Sequence, residues 1–259
     1  MDLLAVALAS LFAAVLTLFS GFGLGTLLTP IFALFFPLEV AVGATAVVHL
    51  CNNIFKLALL GRFAAWPAVW RFGLPAIPAA FLGAMLLTSL AGGEPLTSYE
   101  FFGRIREPTV LGLALGSVIG LFALIDLFGF LADKSFGKSW LPLGGALSGF
   151  FGGLSGHQGA LRSAFLLRWG LSKEAFIATN VVCATAVDVV RLSVYGRGSP
   201  GEWLTDPEAA KLLATAILAA FLGSFIGSRL LKKVTLEFVH RLVGAMLLLI
   251  AVAIAAGLV

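Results

Sequence analysis

Apolar runs long enough to cross a bilayer follow one another along this chain, and two of them are broken by glycines instead of polar loops. A spanning helix needs about 20 mainly apolar residues. Apolar segments fall near 3–19, 26–36, 38–60, 72–90, 109–132, 141–153, 159–169, 174–195, 209–231 and 238–258. A soluble fold must cover its surface with polar side chains, and only 12% of these residues are charged against about a quarter in soluble domains. The expectation is therefore an all-α polytopic membrane protein. Met1-Asp2 offers no basic start to the first apolar run, so no cleavable signal peptide is expected. Cys51 and Cys183 both fall inside expected spans and read as small buried residues, not as a disulfide or a metal site.

The sequence repeats itself. Ser20-Gly21-Phe22-Gly23-Leu24-Gly25-Thr26 and Gly153-Leu154-Ser155-Gly156-His157-Gln158-Gly159 each separate two short apolar segments. A turn follows in each half, at Phe36-Pro37-Leu38-Glu39 and at Gly170-Leu171-Ser172-Lys173-Glu174. Next comes a long run carrying Ala44-Thr45 or Ala178-Thr179, ending at Gly61-Arg62 or Gly196-Arg197. Phe81-Leu82-Gly83 and Phe221-Leu222-Gly223 then match. Residues 1–134 and 135–259 thus read as two copies of one unit. Each unit holds a glycine-broken helical hairpin plus about three transmembrane helices.

An odd net number of crossings per unit inverts the second copy. Arg62, Arg71, Lys134, Lys138, Arg168, Lys173, Arg229, Lys232, Lys233 and Arg241 then share one side. Arg104, Arg106, Arg197 and Lys211 share the other with Glu94, Glu100, Glu107, Glu202, Asp206 and Glu208. The positive-inside rule makes the first side cytoplasmic. Inverted repeats with broken helices are a common architecture of secondary transporters. The basic residues are spread along one membrane face, which gives no reason to expect nucleic-acid binding.

The breaks carry the expected chemistry. An open backbone inside a bilayer is tolerated only where protein or a water-filled cavity satisfies it. The second short helices are expected to start at Thr26 and near Ala160, and their N-termini present free N–H groups and partial positive charge. Two such ends facing one cavity make an anion site. Arg162 falls in the first turn after Gly159, where a cation at membrane depth needs an acceptor. A bound oxyanion is one candidate; an acidic side chain or free carbonyls are the other. Ser155, Gly156, His157, Gln158, Gly159 and Ser163 stand around the same tip, and Gly21, Gly23, Gly25 and Thr26 form the first one. His49, Asn52, Asn53 and Lys56 share one helical face, with Thr179, Asn180 and Cys183 at the matching depth of the second copy. His49, Asn52, Asn53 and Asn180 are expected to line the substrate cavity. Asp188 and Arg191, one turn apart, read as a structural pair. Asp126 reads as a residue that snorkels from the end of its span. Proton coupling through His49, His157 or Asp126 is open.

The loops predict a cap at Asp206-Pro207-Glu208, a helix opening at Arg106-Glu107-Pro108-Thr109, and a short surface helix over 92–107 with Thr97 and Glu100 as a capping box.

Gly21-Phe22-Gly23-Leu24-Gly25-Thr26-Leu27-Leu28-Thr29-Pro30, Ala41-Val42-Gly43-Ala44-Thr45 and Leu60-Gly61-Arg62 resemble the first half of the TauE/SafE sulfite exporter family, also called the TSUP permeases. Residues 149–163 resemble its second half. The resemblance implies a multi-pass protein of a bacterial inner membrane that exports sulfite, an organosulfonate or a related sulfur oxyanion. The protein's partners would be that anion and membrane lipid, with protons a candidate coupling ion, and with no cofactor and no enzymatic activity. Leu24, His157-Gln158 and Arg162-Ser163 depart from the family's more glycine- and proline-rich pattern, which leaves the particular substrate open. Two alternatives remain. A passive anion channel would use the same site. Gly153-Leu154-Ser155-Gly156 also fits the GxSG string of rhomboid serine proteases, although the first copy lacks that serine arrangement and His240 falls near the basic end of its span.

Overall fold

The computed structural model describes residues 3–20, 24–33, 36–128, 136–166, 169–197, 206–230 and 236–258; of these, the backbone alone is described at 16–20, 24–27, 30, 126, 227–230 and 236–243. Gly21, Gly23, Lys134, Arg168, Glu202, Lys232 and Lys233 lie outside the described residues. The side chains of Asp126, Arg229, His240 and Arg241 are likewise outside them.

The described chain is helical. Its helices are α1 (Leu3–Ser20), α2 (Leu24–Ala33), α3 (Leu38–Leu60), α4 (Trp66–Leu90), α5 (Val110–Leu127), α6 (Leu141–Ser155), α7 (Gly159–Leu166), α8 (Lys173–Tyr195), α9 (Pro207–Leu230) and α10 (Leu236–Ala255). Four helices, α3, α4, α8 and α9, are long and apolar enough to cross a membrane by themselves. This is a polytopic α-helical membrane protein. α4 shows how lipid shapes it. Trp66, Trp70, Leu74, Ile77, Phe81 and Met85 form one exposed stripe at three- and four-residue steps. Phe72, Ala76 and Ala80 on the opposite face are buried.

Glycine lets that buried face come close to α6. A methyl group added at Gly145, Gly149 or Gly153 would collide with the carbonyl oxygens of Phe72, Ala76 and Ala80 respectively. Small residues at four-residue steps are how membrane helices approach backbone to backbone. The Phe-Leu-Gly glycines act alike: Gly83 meets the backbone of Phe150 in α6, and Gly223 meets that of Leu11 in α1.

The helix pairs show a pattern of their own. Exchanging each helix for the one five places along maps α1–α9 onto α4–α6, α2–α3 onto α7–α8, α3–α9 onto α4–α8, and α1–α2 onto α6–α7. The pairs α3–α8 and α5–α10 join counterparts directly. One large apolar core runs through α1, α2, α3, α5, α9 and α10, and a second joins α4, α6, α7 and α8.

The short helices start slightly earlier than the spacing predicts, at Leu24 and Gly159, not Thr26 and Ala160. Gly25 and Thr26 therefore sit inside the first turn of α2, not in the break before it.

Segment 92–107 holds no helix. It carries an antiparallel hairpin, β1 (Tyr99–Phe101) with β2 (Arg104–Arg106). Phe102 (φ 50°) and Gly103 (φ 70°) make the two-residue turn, a conformation that matches strand twist. Glu100 pairs across the hairpin with Ile105, so it does not serve as a capping residue. The Tyr99 hydroxyl donates to the Ala256 carbonyl at 2.6 Å and Arg106 Nη1 to that of Leu258 at 3.1 Å, docking the hairpin on the end of α10. The other two openings occur as expected. Glu208 N–H donates to Asp206 Oδ1 at 3.2 Å, and Gly112 N–H donates to Thr109 Oγ1 at 3.0 Å. Cys51 and Cys183 are both free thiols.

At the end of the bundle opposite the hairpin, Arg71 and Lys138 lie over the Trp169 ring at 5.7 and 5.0 Å.

Candidate functional site: a donor-lined interior at the second helix break

The second break is tightly built. α6 ends where Gly156 takes a left-handed conformation (φ 81°), open to glycine at little cost. A side chain there would also meet the Arg191 guanidinium. His157 and Gln158 bridge to α7, and Arg162 N–H donates to the Gln158 carbonyl at 3.1 Å as the first bond of that helix. The N–H groups of Gly159, Ala160 and Leu161 therefore precede the helical ladder. Ser148 Oγ donates to the Gln158 carbonyl at 3.0 Å and pins the loop to α6. Ser155, His157 and Gln158 are all buried.

Arg162 is buried, at 6% exposure. Its Nε donates to Asn180 Oδ1 at 2.8 Å and its Nη1 to Gln158 Oε1 at 3.0 Å. Both acceptors are neutral amides. Among the described residues no carboxylate forms an ion pair with it. Asn180 is itself held by donating Nδ2 to the Phe176 carbonyl at 2.8 Å. The guanidinium is thus aimed by two amides; the carboxylate within electrostatic reach, Asp188, is already paired with Arg191. Ser163 stands beside it in α7, half-buried.

A second cation comes from the other half of the chain. Lys56 on α3, half-buried, lies within electrostatic reach of Arg162. Its place on the polar stripe was visible in sequence; its approach to Arg162, across 106 positions, had no local signal. Among the described residues, three buried nitrogens, Asn52 Nδ2, His157 Nε2 and Gln158 Nε2, have no hydrogen-bond partner. Leaving such groups unpaired in a low-dielectric interior costs about 1–3 kcal/mol each. Asn52 Oδ1 accepts from Ser224 Oγ at 3.0 Å, which fixes the amide's orientation from α9.

The expected lining residues separate into two groups. Ser155, Gly156, His157, Gln158, Gly159, Arg162, Ser163 and Asn180 gather at the α6–α7 break and the facing turn of α8. His49 and Asn53 are engaged elsewhere. His49 Nδ1 lies 2.7 Å and Asn53 Nδ2 3.0 Å from Asp188 Oδ2. Arg191 Nε and Nη2 donate to Asp188 Oδ1 at 3.0 and 2.8 Å, the pairing the i,i+3 spacing predicts. Arg191 also reaches the Gly152 carbonyl at 3.5 Å, and the Tyr195 hydroxyl donates to the Gly153 carbonyl. A buried carboxylate with four donors is fully satisfied.

Ser155 Oγ donates to the Phe151 carbonyl at 3.0 Å, and His157 Nδ1 lies 3.1 Å from Ser155's own carbonyl and 3.2 Å from its hydroxyl. The hydroxyl proton is directed at a backbone carbonyl. Among the described residues no group of three or more His, Cys, Asp or Glu side chains is placed to hold a metal ion. A cleft of about 260 Å³ opens at the hairpin end, lined by Glu39 and Glu107 among others. Its carboxylates have the wrong sign for an anion site.

The sulfite exporter TauE/SafE family model matches residues 6–254. The chain belongs to the TauE/SafE sulfite exporter family. No curated protein and no solved structure matches it. As a TauE/SafE protein it is a membrane transporter.

Proposed function

We propose that this chain carries a small sulfur oxyanion, sulfite or an organosulfonate, across a bacterial inner membrane, with export as the physiological direction. Residues 1–134 and 135–259 act as two inverted repeats that rock against each other to expose the site to either side. The matching of helix pairs five places apart supports that duplication. The basic end around Arg71, Lys138 and Trp169 faces the cytoplasm.

The observation that carries the reading is Arg162. It is buried, donates to neutral amides only, and has Lys56 within electrostatic reach. Among the described residues the one carboxylate within electrostatic reach of Arg162, Asp188, is taken up by Arg191, so an anion placed between Arg162 and Lys56 stabilises this cation pair. Arg162 supplies a planar fork that fits two oxygens of a sulfonate or sulfite. Gln158 and Asn52 add free amide donors, and the α7 N-terminus adds backbone N–H groups and partial positive charge. Ser155, Gly156, His157, Gly159, Ser163 and Asn180 complete this wall of the site. Gly21, Gly23, Gly25 and Thr26 are assigned to the first repeat's side and Asn52 to the α3 face, where His49 and Asn53 stand behind it on Asp188 and do not contact the anion.

A thermal-shift screen in detergent tests this against sulfite, thiosulfate, sulfoacetate, taurine, sulfate, phosphate and chloride. A ligand that binds the folded state raises its apparent stability by mass action. Stabilisation by a sulfur oxyanion is expected. Losing a charge-assisted bond in Arg162→Ala weakens that binding by at least about tenfold. A wild-type-like shift in a folded Arg162→Ala protein sinks the site.

A further inference from the structure

The cluster around Asp188 joins the two halves and holds one nitrogen in reserve. Asp188 is wholly buried on α8, while His49 and Asn53 come from α3. A carboxylate only accepts hydrogen bonds, so His49 Nδ1, 2.7 Å from Asp188 Oδ2, must carry the hydrogen between them. In the neutral ring, Nε2 is then an acceptor with a free lone pair. Nε2 makes no hydrogen bond among the described residues, and the side chain keeps 5% exposure.

Charge counting gives this nitrogen a role. Asp188 and Arg191 cancel, so the cluster is neutral with a neutral ring and carries one positive charge once Nε2 is protonated. The charged groups facing His49 are Lys56 on its own helix and Asp188 and Arg191 on α8. α2 has no ionisable residue, and α9 carries its charged residues, Glu208, Lys211 and Arg229, near its ends. Arg62, in the turn after α3, is exposed. A proton on Nε2 is therefore opposed by Lys56 and Arg191, and an anion held between Lys56 and Arg162 offsets that opposition.

We propose that His49 Nε2 is a proton-binding site that fills together with the anion site, so the two ligands bind cooperatively and travel as a pair. This rests on the anion-site reading above. By linkage, the anion raises proton affinity by the same factor as the proton raises anion affinity. Asp188 orients the ring and stabilises the imidazolium; it keeps its own negative charge throughout.

The test uses the purified full chain in detergent and ethanesulfonate, whose charge is fixed across the range. The dissociation constant is expected to be about tenfold lower near pH 6 than near pH 8.5. His49→Asn, which keeps a donor toward Asp188 but cannot titrate, is expected to bind with no pH dependence. In weak buffer with a pH indicator, saturating ethanesulfonate should draw protons onto the wild-type protein near neutral pH, and not onto His49→Asn. Where His49→Asn fails to fold, Lys56→Arg and His157→Asn decide the matter: each removes a rival titrating group, and the uptake should persist in both, whereas its loss in either overturns His49 as the proton site. Binding without proton uptake, or uptake that persists in folded His49→Asn, overturns the proton site and leaves the anion site standing. Absence of ethanesulfonate binding at both pH values, with no sulfur oxyanion shifting the melting temperature, overturns both.

Discussion

Helices α3 and α8 are each 23 residues long, carry Ala-Thr near the start, end at Gly-Arg and pack against each other. They differ in charge. α8 buries Asp188 and Arg191, which neutralise each other within one turn. α3 buries His49, Asn52 and Asn53 and carries Lys56, with no acid in that stretch. The α8 pair needs nothing else to be electrically neutral, whereas among the described residues α3 has a cation with no ion-pair partner, Lys56, and an amide with a spare donor, Asn52. One helix of the pair is thus self-sufficient and anchors the contact. The other is left with positive charge facing the second break, where Arg162 adds more.

That contrast is breakable by substitution. The largest effect is expected at the α8 anchor. Asp188→Ala strips three side chains of their acceptor and leaves Arg191 buried and unpaired, which costs about 3–5 kcal/mol. It should appear as a large drop in melting temperature or a failure to accumulate in the membrane. On α3, Asn53→Ala removes one of several donors to the same carboxylate and costs about 1 kcal/mol, read as a modest melting shift. If the two variants melt alike, the anchor is shared equally and the contrast fails.

The duplicated threonines sharpen the point at smaller scale. Thr179 Oγ1 accepts from the Ala65 N–H at 2.9 Å and ties α8 to the turn after α3. Thr45 Oγ1, buried at the matching place, has no partner among the described residues. Thr179→Val is expected to cost about 1 kcal/mol by leaving that N–H unpaired. Thr45→Val is expected to leave melting unchanged or slightly raise it, since replacing an unpaired buried hydroxyl by a methyl removes a desolvation penalty. Equal losses in both would mean that the two copies use the threonine in the same way.

Much of the frame was readable because lipid permits so few solutions. Long apolar runs had to be helices, and glycine clusters marked the breaks to within two residues at Leu24 and Gly159. The pairing of Asp188 with Arg191 was legible because helix spacing fixes it. Segment 92–107 was misread because Thr97 and Glu100 fit a capping box, while Phe102-Gly103 set a two-residue turn and the flanking aromatic and branched residues chose strands. The His49–Asp188 contact spans 139 positions, and no periodicity reports on partners that far apart. Nor did the sequence indicate that Asn180 and Gln158, both neutral, would be the acceptors that orient Arg162.

The most direct test of the account is counterflow in proteoliposomes. Vesicles are loaded with unlabelled sulfur oxyanion, the one giving the largest thermal shift, and uptake of a radiolabelled trace is followed. An alternating-access carrier with its site between Arg162 and Lys56 should accumulate label transiently in the wild type. Arg162→Gln and Lys56→Gln, folded by their melting curves, should both lose it. Undiminished accumulation in Arg162→Gln would contradict the site, and label that equilibrates without an overshoot in the wild type would contradict the carrier mechanism.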